Sequence, residues 1–237
     1  MRGFKNAIAV IMLTVAVVCA AGCTKPNEPN NVSGNYNGHD YVDLGLPSGT
    51  LWATCNVGAN ASEEYGDFFA WGETQPKDIY DWSTYQHCNG GCNGITKYCS
   101  NAGCGNNGFT DNLITLQPED DAATVNWGNG WCMPTRYQLE ELSGFTNKIW
   151  TTQNGVNGYL FTGFNGNTIF LPAAGYRYDG NLDKVSSHGG YWSSTLDTNY
   201  YSYFSWRLYF GSGNYNLGIS GNDRYYGLSV RPVCSSF

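Results

Sequence analysis

A chain of 237 residues is long enough for one large domain or two small ones, and 13% charged with 16% aromatic residues is far from the make-up of a disordered protein. The 31 glycines beside so many aromatics point to a loop-rich fold containing β-structure. A formal net charge of −7 argues against nucleic acid as a partner, because phosphate binding needs clustered Lys and Arg.

The first residues follow a logic of their own. Arg2 and Lys5 precede an apolar run from Ala7 to Gly22, broken only by Thr14. That run is short for a membrane span, which needs about 20 residues, and reads as a secretory signal. Ala20-Ala21-Gly22-Cys23 resembles a bacterial lipobox, in which the Cys is acylated and becomes the new N-terminus, although Ala20 stands where Leu is commoner. Plain signal cleavage beside an incidental Cys is the alternative. Residues 1–22 are therefore expected to leave as a lipoprotein signal peptide, with lipid on Cys23. Residues 23–38, ending TKPNEPNNVSGNYNG, read as a flexible Pro/Asn/Gly tether, and residues 39–237 as the folded domain. The expected location is the outer membrane, held by acyl chains at the cell surface, with the periplasmic face as the alternative.

Nine cysteines are present. Cys19 leaves with the signal and Cys23 takes lipid, which leaves Cys55, Cys88, Cys92, Cys99, Cys104, Cys132 and Cys234 as disulfide candidates. Four of them crowd into CNGGCNGITKYCSNAGC, residues 88–104. Zinc sites favour two-residue gaps between ligands, often with His. The gaps here are wider, His87 is the one nearby imidazole, and an exported chain favours disulfides. A loop rich in Gly and Asn gains from crosslinking because it buries little apolar surface. The odd number leaves at least one thiol unpaired or paired elsewhere. The connectivity is open, including whether Cys55 joins Cys132 or Cys234. No metal and no cofactor is expected.

In chain order, Tyr41–Leu44 and Thr50–Ala53 read as short strands flanking an LPSG turn, and Phe68–Trp71 as a further apolar run. The best helix signal is MPTRYQLEELSGF, residues 133–145, where Thr135 is a plausible N-cap and Gln138 completes a capping box. Leu139 and Leu142 share a face there, and Gly144 is a natural stop. Thr168–Leu171 reads as a strand and PAAGYRYDG as a turn region. In WRLYF, alternation puts Trp206, Leu208 and Phe210 on one face and Arg207 and Tyr209 on the other. GSG turns the chain. In NYNLGIS, Tyr215, Leu217 and Ile219 share one face, opposite Asn214, Asn216, Gly218 and Ser220. GNDR turns it again before a last strand candidate, YGLSVRPV. No repeat of 20–50 residues is visible, which excludes a solenoid or propeller.

Six blocks carry a family resemblance: HDYVDLGLPSGTLWATCNVGA (39–59), YGDFFAWGET (65–74), PEDDAATVNWGNGWCMPT (118–135), IFLPAAGYR (169–177), GGYWSS (189–194) and GLSVRPV (227–233). Their order and wording resemble the Fibrobacter succinogenes major paralogous domain, common in exported lipoproteins of gut Bacteroidetes. The resemblance covers about residues 39–237. It implies an α+β, C-type-lectin-like fold of the formylglycine-generating-enzyme-like branch, loop-rich, with short antiparallel strands and one or two helices. It also implies that the MPT block opens a helix, that the YWSS block lies before the terminal hairpins, and that the RPV strand closes the sheet near the N-terminal strand.

The stretch from Asp197 to Gly227 holds seven of the 18 tyrosines among Asn, Ser and Gly. It resembles the variable region of proteins diversified by retroelements, in which template adenines are miscopied. Asn codons AAC and AAT then yield Tyr, Asp, Ser, Gly, His or Ile, while interleaved apolar positions stay fixed. A plain surface-loop family built for ordinary binding would look alike. Under either history the mixture suits a binding face, because Tyr offers contact area with few rotatable bonds and Ser, Gly and Asn offer adaptable hydrogen bonds. The ligand-binding candidates within residues 196–227 are Asp197, Asn199, Tyr200, Tyr201, Tyr203, Arg207, Tyr209, Asn214, Asn216, Ser220, Asn222, Asp223 and Tyr225. The expected partner is a protein or glycan. Calcium-dependent sugar binding is not expected, because Glu28-Pro29-Asn30 falls in the tether and no Trp-Asn-Asp occurs.

Catalysis is not expected. Formylglycine-generating relatives use a C-terminal cysteine pair, and this chain has Cys234 alone there. Asp120 and Asp121 read as caps of local turns, and His39, His87 and His188 show no triad or metal-ligand spacing. A structural or fimbrial-tip adhesion subunit is the alternative to a simple tethered binder, and a hydrolase or formylglycine-type enzyme the more distant one.

Overall fold

Asn37-Gly38 is the first turn of the fold, and both residues adopt positive φ (48° and 83°), the geometry a two-residue hairpin of strongly twisted strands requires. It joins β1 (Gly34–Tyr36) to β2 (His39–Asp43). The end of the expected tether is therefore strand, not slack chain. The computed structural model describes residues 33–199, 201–213 and 217–234. The signal segment, Cys23, Tyr200, Asn214, Tyr215 and Asn216 lie outside them.

β2 pairs antiparallel with β3 (Leu51–Ala53) across the LPSG turn, with Tyr41 opposite Ala53. Only the last residue of the expected terminal strand, Val233, joins this sheet regularly: β12 (Val233–Cys234) pairs with β3, giving the order β1-β2-β3-β12. The preceding residues make single bridges, Phe69 to Leu228 and Tyr191 to Ser229. Pro232 explains the break, since it has no N–H to give a ladder; its carbonyl accepts from the Ala53 N–H instead.

Two short helices follow. α1 (Ala122–Trp127) is capped by Asp121, whose carboxylate accepts from the backbone N–H of Thr124 and of Met133. α2 (Arg136–Gly144) carries the expected capping box: Gln138 N–H donates to Thr135 Oγ1, and Thr135 N–H donates to Gln138 Oε1 at 2.8 Å. Leu139 and Leu142 are buried from its inner face. Thr135→Ala is expected to cost about 1 kcal/mol, read as a lowered urea midpoint with an unchanged slope.

β4 (Asn147–Gln153), β5 (Val156–Thr162) and β6 (Thr168–Pro172) form a meander whose first turn, Asn154-Gly155, again has two positive φ values. The segment expected as a plain turn region contains β7 (Tyr176–Tyr178), paired through Asp179-Gly180 with β8 (Asn181–Asp183). Only two residues of that region make the turn.

The C-terminal sheet has the order β11-β10-β9, built from β9 (His188–Leu196), β10 (Phe204–Gly211) and β11 (Gly218–Asp223). Trp206, Leu208 and Phe210 are buried and Arg207 and Tyr209 half-buried, as the alternation requires. GNDR is not a turn as a whole. Gly221 and Asn222 stay in register opposite Trp206 and Ser205, and the chain turns only at Arg224.

β9 is the wall between two cores. Tyr191 packs with Val42, Trp52, Leu142, Leu208 and Phe210. Trp192, pointing the other way, packs with Phe69, Trp71, Trp131 and Val230. Two fully buried arginines stitch loops to this frame. Arg224 donates to Tyr85 Oη and to the carbonyls of Lys97, Tyr98 and Ser202. Arg231 donates to Asn56 Oδ1 and to the carbonyls of Ala53, Thr54 and Phe170. The architecture is α+β, with short antiparallel strands, two helices and long loops. No helix among the described residues is long and apolar enough to cross a membrane.

The seven candidate cysteines are free thiols in this structure. Several donate to oxygens of their own loops: Cys55 to Ala59 O, Cys88 to Trp82 O and Cys99 to Asn101 O. Cys99 and Cys104 are buried around Ile95, with Cys88 packed against them. Cys132 is exposed while Cys234, next to its bridge partner Val233, is buried.

Candidate functional site

Direct cross-strand partners share one side of a sheet. Ser205, Arg207 and Tyr209 of β10 therefore lie on the same side as Asn222, Ser220 and Gly218 of β11. Trp206, Leu208 and Phe210 take the opposite side, where Leu208 and Phe210 share a core with Leu139 and Leu142 of α2. The sheet thus has an apolar side on α2 and a polar side directed away from it.

Arg207 is the centre of the polar side. Its guanidinium lies 5.6 Å from the ring of Tyr209 and makes no hydrogen bond or ion pair among the described residues. Burial lowers its pKa, and the hydroxyls of Tyr226, Tyr209 and Tyr176 and the carboxyl of Asp223 act in the other direction. Burial raises the pKa of Asp223, partly opposed by Arg207. Ser205 Oγ and Asn222 Nδ2, on facing strands, are also without partners.

Beside this patch runs a continuous chain of aromatic rings drawn from four segments. Tyr201 stacks on Tyr203 at 5.0 Å with planes 6° apart. Tyr203 meets Trp82 edge-on at 6.2 Å, and Trp82 meets Tyr225 at 4.9 Å. Tyr225 contacts Tyr226 at 4.8 Å, and Tyr226 contacts Tyr178 at 5.2 Å and Tyr176 at 5.7 Å. The two ends are open to solvent, with Tyr201 49% and Tyr178 37% exposed.

The structure gathers Tyr201, Tyr203, Arg207, Tyr209, Ser220, Asn222 and Asp223 on or beside this face, and Asn199 is exposed. Two candidates are buried away from this face. Asp197 is 1% exposed, with Asn199 N–H donating to its Oδ1 and its Oδ2 lying against Gly221. Tyr225 is 9% exposed, since its ring is packed between Trp82, Tyr178 and Tyr226. Tyr200, Asn214 and Asn216 fall outside the described residues. Trp82, Tyr176, Tyr178 and Tyr226 were not among the sequence candidates. Tyr176 and Tyr178 stand two apart in YRY, a period that puts both on one strand face; Trp82 gives no such signal.

The acidic pair divides. Asp121 caps α1 as expected, but Asp120 caps nothing: its Oδ2 accepts from Lys97 Nζ and Tyr98 Oη in the interior. His87 lies 3.8 Å from Asp120 Oδ1, with its Nε2 2.9 Å from the carbonyl of Gly72 and burial lowering its pKa.

No curated protein and no solved structure matches the chain. A family model described as a domain of unknown function (DUF8237) matches residues 133–233, from the start of the α2 capping segment to β12.

Proposed function

We propose that this is a non-catalytic, ligand-binding protein of C-type-lectin-like fold, exported and lipid-anchored through Cys23, which presents the polar side of β10–β11 and the adjoining tyrosine chain to a protein or glycan. The observation that carries the reading is the open tyrosine chain flanking a guanidinium that makes no hydrogen bond or ion pair among the described residues. Tyr and Arg are the residue types that dominate binding hot spots. Aromatic faces serve sugar rings and side chains alike, and the facing Ser and Asn groups suit hydroxyls and carbonyls. Two further features support it. The composition at these positions is what adenine miscopying of Asn codons produces, and the apolar positions between them form the α2-facing core. The pairing of β12 with β3 fits the lectin-like arrangement, in which the terminal strand closes beside the N-terminal one.

The test is a screen of the folded domain against arrays of host glycans and host cell-surface ectodomains, repeated with Arg207→Ala and Tyr201→Ala. Each substitution is expected to weaken a binder by about 30-fold, the size of a 2 kcal/mol hot spot, with thermal unfolding unchanged. Binders indifferent to both substitutions would remove this face from consideration. Retroelement diversification has its own test in the flanking DNA. The expected finding is an imperfect copy of the segment encoding residues 196–227, differing almost only at adenines, beside a reverse transcriptase gene. Absence of both would leave a binder of fixed specificity.

A further inference from the structure

The α2 side of the same sheet contains a second feature that the binding face does not use. Opposite Trp206 the register places Gly221, which puts no side chain of its own beside the indole. The result is a pocket of about 420 Å³ lined by Asp197, Phe204, Trp206, Ile219, Ser220 and Gly221. That volume lies within the range of small-ligand sites. Phe204, Trp206 and Ile219 supply its apolar walls, Ser220 a polar edge, and Asp197 its one carboxyl group.

Asp197 is 1% exposed, and its two oxygens differ. Oδ1 accepts from Asn199 N–H at 2.9 Å, whereas Oδ2 has no hydrogen-bond partner among the described residues. Oδ2 lies against Gly221, where an added Cβ would come within 2.5 Å of it. Burial raises the pKa of this carboxyl, with the Asn199 N–H and the charge of Arg136 opposing. Arg136 already lies over Trp206, its guanidinium carbon 3.9 Å from the ring centroid, but its Nε is committed to Glu140 at 2.7 Å. The indole therefore sits in an environment that holds a cation, while the buried carboxylate oxygen next to it has no donor in hydrogen-bond contact among the described residues. A buried carboxylate with an unfilled acceptor is costly, and a charge-assisted donor is what relieves it.

We infer that this pocket binds a primary ammonium carried on an apolar stem, with the ammonium on Asp197 Oδ2 and the stem against Phe204, Trp206 and Ile219. The choice of ammonium over guanidinium follows from the single free oxygen. A guanidinium is matched by two parallel acceptors, a point-like ammonium by one. The same group could come from a free alkylamine or from a lysine side chain of a partner. The site lies across the sheet from Arg207 and Tyr209 and stands or falls independently of the binding face proposed above.

Calorimetry on the full folded domain tests this with three probes: n-pentylamine, n-pentanol and Nα-acetyl-lysine methylamide. The amine is expected to bind at least tenfold more tightly than the alcohol of equal length, a comparison that needs no variant. Asp197→Asn is expected to reduce that preference to below threefold, and Gly221→Ala to weaken the amine at least tenfold by pushing a methyl group toward Oδ2. Binding of both amines points to a partner's lysine as the occupant, and binding of pentylamine alone to a free amine; either supports the site. Equal binding of amine and alcohol, no binding of either amine at millimolar concentration, or an amine preference that survives in folded Asp197→Asn overturns it.

Discussion

Replacing Arg224 with Met is expected to lower the unfolding free energy by about 3–5 kcal/mol, the range for removing one partner from a buried charged network. Arg224 is fully buried, and its four hydrogen bonds all go to groups in loops, not in strands: Tyr85 Oη and the carbonyls of Lys97, Tyr98 and Ser202. Its guanidinium also lies 4.7 Å from the ring centroid of Trp71. Met restores much of the stem volume but none of the donors, so buried acceptors are orphaned, at about 1–3 kcal/mol for an unsatisfied group and not additively. Lys at this position keeps the charge and still fails, because one ammonium cannot span acceptors arranged around a planar fork. The check is urea denaturation of both variants. A loss below about 1 kcal/mol for Met would show that the loop from Tyr85 to Tyr98 holds its place without Arg224. Because that loop follows directly on Trp82, loss of Arg224 is also expected to disorder the middle of the tyrosine chain before the C-terminal sheet opens.

Phe210→Ala is the second large effect, again about 3–5 kcal/mol, the usual cost of truncating a core Phe. The ring meets Tyr159 at 5.1 Å, Tyr191 at 5.9 Å and Trp150 at 6.3 Å, so it joins the C-terminal sheet to the β4–β5 hairpin. It can do so only because Gly189 lies opposite it, where an added Cβ would fall 2.2 Å from Phe210 Cζ. Gly189→Ala alone is therefore expected to destabilise by overpacking. In the Phe210→Ala background the same change places a methyl group in the new cavity and costs much less. The double variant should be more stable than the two single losses predict by at least about 1 kcal/mol, within the range of contacting pairs. Strict additivity would mean that the ring and the glycine do not share that space.

These residues show what the chain made legible and what it hid. α2 was readable because its signal is local: Thr135, Gln138, Leu139 and Leu142 lie within eight positions and specify cap and face together. The inner set of β10 was readable because period-two alternation survives in WRLYF. β11 was cut short on paper because Gly221-Asn222-Asp223 has turn chemistry, and only the partner strand, with Trp206 and Ser205 opposite, keeps it extended. β7 was hidden in the same way, its short arm masked by the Gly and Asp around it. The candidate site was half visible. The residues of one segment could be named from composition, but Trp82 reaches it from a distant loop and Tyr176 and Tyr178 from β7, through tertiary contacts that the sequence does not encode locally. Asp197 lies off the presented face, with Asn199 folded back on it.

The partnership of β12 with β3 has a consequence for how the chain reaches this structure. Leu51 pairs with Cys234, and Val233 bridges Cys132 as well as Trp52, so the N-terminal sheet keeps one edge open until β12 is in place. Closing loops of such length before any contact rewards them makes for slow folding. Without β12 the first sheet keeps an unpaired edge at β3, so closing that sheet couples the first strands of the fold to its last.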